Sequence, residues 1–124
     1  MHHSSLAAFL NDQLSADALW REIEAEVADC RAACAKGGSG HVIITDGPEI
    51  EVTRQHVGVL LKALADAELP LSAASYVADS LIMSDDFSWD DDAVAVALFS
   101  LSDESRALTL ADVEDERARL SKAA

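Results

Sequence analysis

His41-Val42-Ile43-Ile44-Thr45-Asp46-Gly47-Pro48-Glu49-Ile50-Glu51-Val52 is the one strand-like stretch of the chain. Its first part is β-branched and apolar, Asp46-Gly47 has hairpin-turn chemistry, and residues 49–52 alternate polar with apolar. The expectation is a short β-hairpin with strands over 41–45 and 49–52. The unbroken run 42–44 reads as buried on both faces, whereas Ile50 and Val52, set between Glu49 and Glu51, read as half-exposed. Pro48 weakens the ladder where the second strand starts. Two strands alone are marginal in water, so helices must cover the pair or a second copy must extend its edge. Parallel self-pairing would stack Glu49 and Glu51, which leaves an antiparallel homodimer as the alternative to a monomer.

Outward from this stretch, everything reads as helix. After it, Thr53 caps a helix over 54–67 with Val57, Leu60, Leu61 and Leu64 on one face. Before it, Ser15 caps a helix over 16–36 with the stripe Leu19, Trp20, Ile23, Val27, Cys30 and Cys34, stopped by Gly37-Gly38. A first helix spans 5–14 through Leu6, Phe9, Leu10 and Leu14. Leu69-Pro70-Leu71-Ser72 breaks the pattern, with Ser72 capping a helix over 73–83. Residues 84–89 read as loop. Asp90 caps a helix over 91–101 with the stripe Val94, Ala97, Leu98 and Leu101, and Asp91 and Asp92 complement its dipole. Thr109 and Asp112 resemble a capping box for a last helix over 110–122, with Val113 and Leu120 inside and a charged exterior. The fold class is α+β, mostly helical, with about six helices and one hairpin.

The 124 residues suit a single domain over 1–124. Residues 1–4 read as a tag remnant, a disordered end or a native start. Half the residues are apolar, but 23 are Ala, so the core must come from Leu, Ile, Val and the aromatics. Met1 to Ser5 lacks the basic and apolar regions of a signal peptide, and no apolar run reaches the length of a membrane span. The expected setting is the cytosol. Cys30 and Cys34 continue an apolar stripe, so packing is their expected role, and a disulfide at that spacing in one helix is geometrically poor.

The charge is uneven. Residues 1–62 hold nine acids and five bases, and residues 63–124 hold fourteen acids and four bases, which gives −4 and −10 of the net −14. Between Lys62 and Arg106 lie 43 residues without Lys or Arg, yet with ten carboxylates: Asp66, Glu68, Asp79, Asp85, Asp86, Asp90, Asp91, Asp92, Asp103 and Glu104. Tyr76, Phe87, Trp89 and Phe99 share the stretch. Unless distant bases fold back onto it, this segment makes a negative field that draws basic partners and repels nucleic acid.

Motifs for chemistry fail on inspection. An EF-hand from Asp86 would use Asp86, Ser88, Asp90 and Asp92, but Asp91 replaces its glycine and Ala97 its bidentate Glu. Lys36-Gly37-Gly38-Ser39-Gly40 follows a helix and precedes the strand, the wrong order for a phosphate loop. His41 and His56 have no partner singled out by spacing, and no nucleophile, base and orienting group occur together. The expectation is no enzyme, no cofactor, no catalytic residue and no metal ligand.

Val52-Thr53 with Leu60-Leu61, Tyr76-Val77-Ala78-Asp79, Asp85-Asp86-Phe87-Ser88-Trp89 and Leu98-Phe99-Ser100-Leu101 form a pattern of caps and helix ends over residues 52–120. It resembles small acidic bacterial immunity proteins of the contact-dependent growth inhibition type, with Val77 as an extra residue. The resemblance implies a role, neutralisation of a partner, and no particular contacts. The expected function is an acidic protein–protein interaction module that neutralises a basic partner such as a toxin. Its expected binding residues are Asp79, Asp85, Asp86, Phe87, Trp89, Asp90, Asp91, Asp92, Asp103 and Glu104, with Phe87 and Trp89 either core or hot spot. Alternatives are a self-associating structural or regulatory subunit, and a weak metal or small-molecule binder. No nucleic acid or membrane is expected as partner.

Overall fold

The computed structural model describes residues 1–35 and 42–122, apart from the side chains of Cys34 and Ala35. Helices α1 (His3–Leu10) and α2 (Ala16–Ala35) precede strand β1 (Ile50–Glu51) and α3 (Arg54–Ala65). Then come α4 (Ala74–Met83), β2 (Phe87–Ser88), α5 (Asp92–Ser102) and α6 (Leu110–Lys122). The mostly helical α+β class holds. The glycine-rich stretch 36–40 and His41 lie outside the described residues, as does the Cys34 side chain.

The caps explain the helix starts. The Ser15 hydroxyl accepts from Ala18 N at 3.1 Å. Thr53 and His56 form a reciprocal capping box: Thr53 Oγ1 accepts from His56 N at 3.3 Å, and His56 Nδ1 accepts from Thr53 N at 3.1 Å. With Nδ1 an acceptor, neutral His56 carries its proton on Nε2, which donates to Asn11 Oδ1 at 3.0 Å. This histidine thus has a structural use. Thr109 and Asp112 form the second box as expected. Two caps differ from expectation. Asp91, not Asp90, caps α5, accepting from Ala93 N at 3.0 Å. Ser72 caps nothing: a 3-10 turn at Leu71–Ala73 feeds directly into α4.

The strands do not form a hairpin. β1 pairs with β2 in parallel, Ile50 opposite Phe87 and Glu51 opposite Ser88, across a stretch that includes all of α3 and α4. Residues 42–49 hold no strand because their backbone finds other partners. The amino terminus of Met1 donates to Ile43 O at 3.0 Å, and Thr45 N donates to Met1 O at 3.2 Å. Ile43 N donates to the Tyr76 hydroxyl at 3.3 Å, and Gly47 N to Asp86 Oδ2 at 3.1 Å. Pro48, with no N–H, separates this segment from β1. Nor is 42–44 buried on both faces: Val42 and Ile44 pack on the core while Ile43 is 64% exposed.

Residues 1–4 belong to the fold. Met1 and His3 are buried, the amino terminus pairs with Glu26, and α1 begins at His3. The His3 ring stacks on Phe87 with centroids 4.7 Å apart. Gly47 lies so close beneath that any side chain there would overlap the His3 ring, so glycine is required here by close approach.

One core joins the helices. α3 buries Val57, Leu60, Leu61 and Leu64, and packs against α1, α5 and α6, while α4 packs along α5. α6 buries Val113 and Leu120 as expected, and also Glu116. That carboxylate accepts from the Ser100 hydroxyl at 2.8 Å and from Arg119 at 2.7 Å, so the inner face of α6 is not purely apolar. No described helix is long and apolar enough to cross a membrane.

Candidate interaction surface

The ten predicted residues do not make one face. Five of them (Asp85, Asp86, Asp90, Asp91 and Asp92) gather before and at the N-terminal end of α5. Asp103 and Glu104 follow its C-terminal end. Helix rise puts these ends roughly 16 Å apart. Asp79 belongs to the second group, because the charge of Glu104 acts on it.

At the first end the acids are divided between folding and solvent. Asp86 accepts from Gly47 N and ties segment 42–49 to β2. Asp91 caps α5 and receives the Arg54 guanidinium at two points, Nε to Oδ2 at 2.5 Å and Nη2 to Oδ1 at 3.2 Å. That hydrogen bond, the cap and the arginine charge hold the Asp91 carboxyl below the usual carboxylate range. Asp85, Asp90 and Asp92 are exposed and form no ion pair among the described residues. Phe87 is 5% exposed, sandwiched into the core by His3. Trp89 is half-buried and packs against the core. Core packing is therefore the role of Phe87, while Trp89 packs against the core and stays partly exposed.

At the second end, Asp103 accepts from Ser105 N at 2.9 Å and turns the chain after α5. Burial, then the Glu104 charge, push the Asp79 carboxyl above its usual range. A cavity of about 720 Å³ opens beside this group, and its lining includes Arg31, Leu71, Leu101, Asp103, Glu104 and Arg106. In a separate small recess shared with Asp79, the Tyr76 hydroxyl donates to Glu26 at 2.9 Å, and burial pushes its own ionisation up to about 12. Cys30 is half-buried at the cavity edge and forms no disulfide. Among the described residues, no three His, Cys, Asp or Glu side chains gather in a way that could hold a metal ion.

Between the two ends runs the outer face of α5. Val96 is 47% exposed and Phe99 54% exposed. Neither is among the binding residues expected from the sequence, although the signal was there. The core stripe Val94, Ala97, Leu98 and Leu101 fixes the helix phase, and at about 100° per residue Val96 and Phe99 fall opposite it.

No protein-family model, curated protein or solved structure matches the chain.

Proposed function

We propose that this chain is an acidic protein–protein interaction module that neutralises a basic partner, with a cationic toxin domain as the sharpest version. The observation that carries this reading is electrostatic. Of the ten carboxylates in the base-free stretch, only Asp66 and Asp91 form an ion pair among the described residues, with Lys62 and Arg54, while the charge of Arg106 also acts on Asp103. Eight remain without an ion pair there, concentrated about the two ends of α5. A field that is compensated only in part accelerates encounter with a cationic surface and disfavours anionic partners, nucleic acid included. Occupying a nuclease's cationic cleft would block it by presenting carboxylates where phosphates would lie. The likeness to contact-dependent growth inhibition immunity proteins points the same way, and a cytosolic setting belongs to the same reading.

The test is capture of partners from source lysate at low and high salt, followed by stopped-flow association. A basic partner whose association slows with salt is expected, with slower association still for the Asp85→Asn, Asp90→Asn, Asp92→Asn triple variant. A neutral or acidic partner, bound with no dependence on salt, would sink the reading. The cavity beside Leu71, Leu101 and Leu108 favours a second reading, binding of a small apolar molecule, since its volume lies in the range of ligand pockets. Thermal-shift screening with apolar amines and acids separates the two.

A further inference from the structure

We infer that Phe99, with Val96 beside it, is the apolar anchor on which the protein docks a cationic amphipathic segment of a partner. This rests on the basic-partner reading above and adds where contact is made and what the partner must present. Singly exposed apolar residues need no explanation. Here two lie about one turn apart on the same helix face, one of them aromatic, and both are about half exposed. Carboxylates flank them: Asp92 lies in the first turn of α5 and shares an arc of roughly 60° with Val96 and Phe99, and Asp103 is the C-cap. An aromatic anchor bordered by charge is the arrangement of an interface hot spot.

The field over this face is cancelled only in part: the charge of Arg106 acts on Asp103 while its guanidinium pairs with Asp112, and Arg31 lines the cavity beside Asp103 and Glu104. α4 and α5 contain no Lys or Arg. On α3, Arg54 and Lys62 pair with Asp91 and Asp66. On α6, Arg117 and Arg119 pair with Glu114 and Glu116, which leaves Lys122 as the base of these helices without an ion pair among the described residues.

Charge also selects the occupant. A second copy laid antiparallel on α5 would set Asp92 against Asp103, and a parallel copy would set each against itself. Both arrangements would bring together chains of net charge −14. A cationic segment with an apolar stripe meets both demands. If helical, it needs an apolar side chain over Phe99 and basic residues about three turns apart to reach the two ends of α5.

The experiment is an amide-shift NMR titration of the full chain with a synthetic amphipathic Leu/Lys peptide. Controls are the same peptide with Glu for Lys and with Ser for Leu. The expected result is shifts centred on Val96 and Phe99 that reach Asp92 and Asp103, and weaken with salt. Phe99→Ala should lower affinity at least tenfold and Val96→Ala a few-fold, with the fold intact by circular dichroism. Unchanged affinity in folded Phe99→Ala overturns the anchor. So do shifts confined to the 85–90 loop or the cavity, although these leave the basic-partner reading standing. Absence of Leu/Lys peptide binding also overturns the docking surface, while the lysate capture decides the broader reading on its own. Equal binding of the Glu peptide overturns the charge argument in both. A concentration-dependent dimer that Phe99→Ala abolishes would make a second copy the occupant and overturn the cationic one.

Discussion

The 85–89 loop and the 96–99 turn of α5 hold the same ingredients, aromatic or apolar side chains among carboxylates. The fold uses them in opposite ways. In the loop, Phe87 sits in β2, where alternation turns it inward beneath His3 while Ser88 faces out. Asp86 and Asp91, on either side, are tied to Gly47 N and Arg54. On α5, Phe99 lies opposite a complete core stripe, so its ring has no inner place to occupy. Proximity to acids therefore does not decide whether an aromatic is an anchor. Its phase relative to the core does.

Truncating the two phenylalanines should break this comparison most sharply. Phe87→Ala is expected to cost about 3–5 kcal/mol of stability, because a buried ring leaves a cavity beside His3. Phe99→Ala should stay within about 0.5 kcal/mol, as exposed substitutions do. Urea denaturation of both variants measures the difference. Similar losses would mean that Phe99 is packed and that its exposure carries no functional weight.

The layer beneath the loop offers a second test. Gly47→Ala places a methyl group where the His3 ring lies, and should cost about 1–3 kcal/mol through displacement of that ring. Gly47→Ala in a His3→Ala background should cost less, since the obstructing ring is gone. If the two substitutions are simply additive, the close approach of His3 to Gly47 is not what requires glycine.

Much of the helical fold was legible. Thr53, Ser15 and the Thr109–Asp112 pair start their helices as local chemistry dictates, and the apolar stripes of α3 and α5 are buried as their spacing requires. The hairpin was not legible, because its competitors are remote. The backbone of 42–47 bonds to Met1, Tyr76 and Asp86, and β1 bonds to β2, partners that no local pattern announces. The binding residues were half legible. Composition exposed the carboxylates, but only the fold separates those about α5 into two ends and assigns Asp86 and Asp91 structural partners. Glu116 was missed because its neutralising contacts, Ser100 and Arg119, come from a different helix and from its own next turn.

Comparison of neighbouring acids sharpens the contrast further. Asp91→Ala should lower the denaturation midpoint, since it removes both the α5 cap and the Arg54 partner, while Asp90→Ala should leave it within error. The effect of Asp91 has a definite pH sign. Its folded value is depressed, so its stabilisation is fully present above the unfolded value near 3.8 and fades as pH falls through the lower folded value. The gap between wild type and Asp91→Asn should therefore close in strong acid. A gap that widened on acidification would refute the Arg54 pairing as its source.

Asp79 should show the opposite sign, and a smaller effect. Burial and the Glu104 charge raise its folded value above 3.8, so the folded chain holds this proton more tightly than the unfolded chain does. Stability is then lost, not gained, as pH rises from the unfolded value through the folded one. Asp79→Asn should accordingly stabilise the protein at neutral pH and leave it unchanged in strong acid, with Glu104→Gln giving part of the same gain. Thermal melts from pH 3 to pH 7 measure both variants. Asp91 is an acid the fold uses, whereas Asp79 is an acid the fold tolerates, and a tolerated charge is one that an incoming cation can relieve. If Asp79→Asn instead destabilised the protein at neutral pH, Asp79 would have a structural partner and would join Asp91 among the acids committed to the fold.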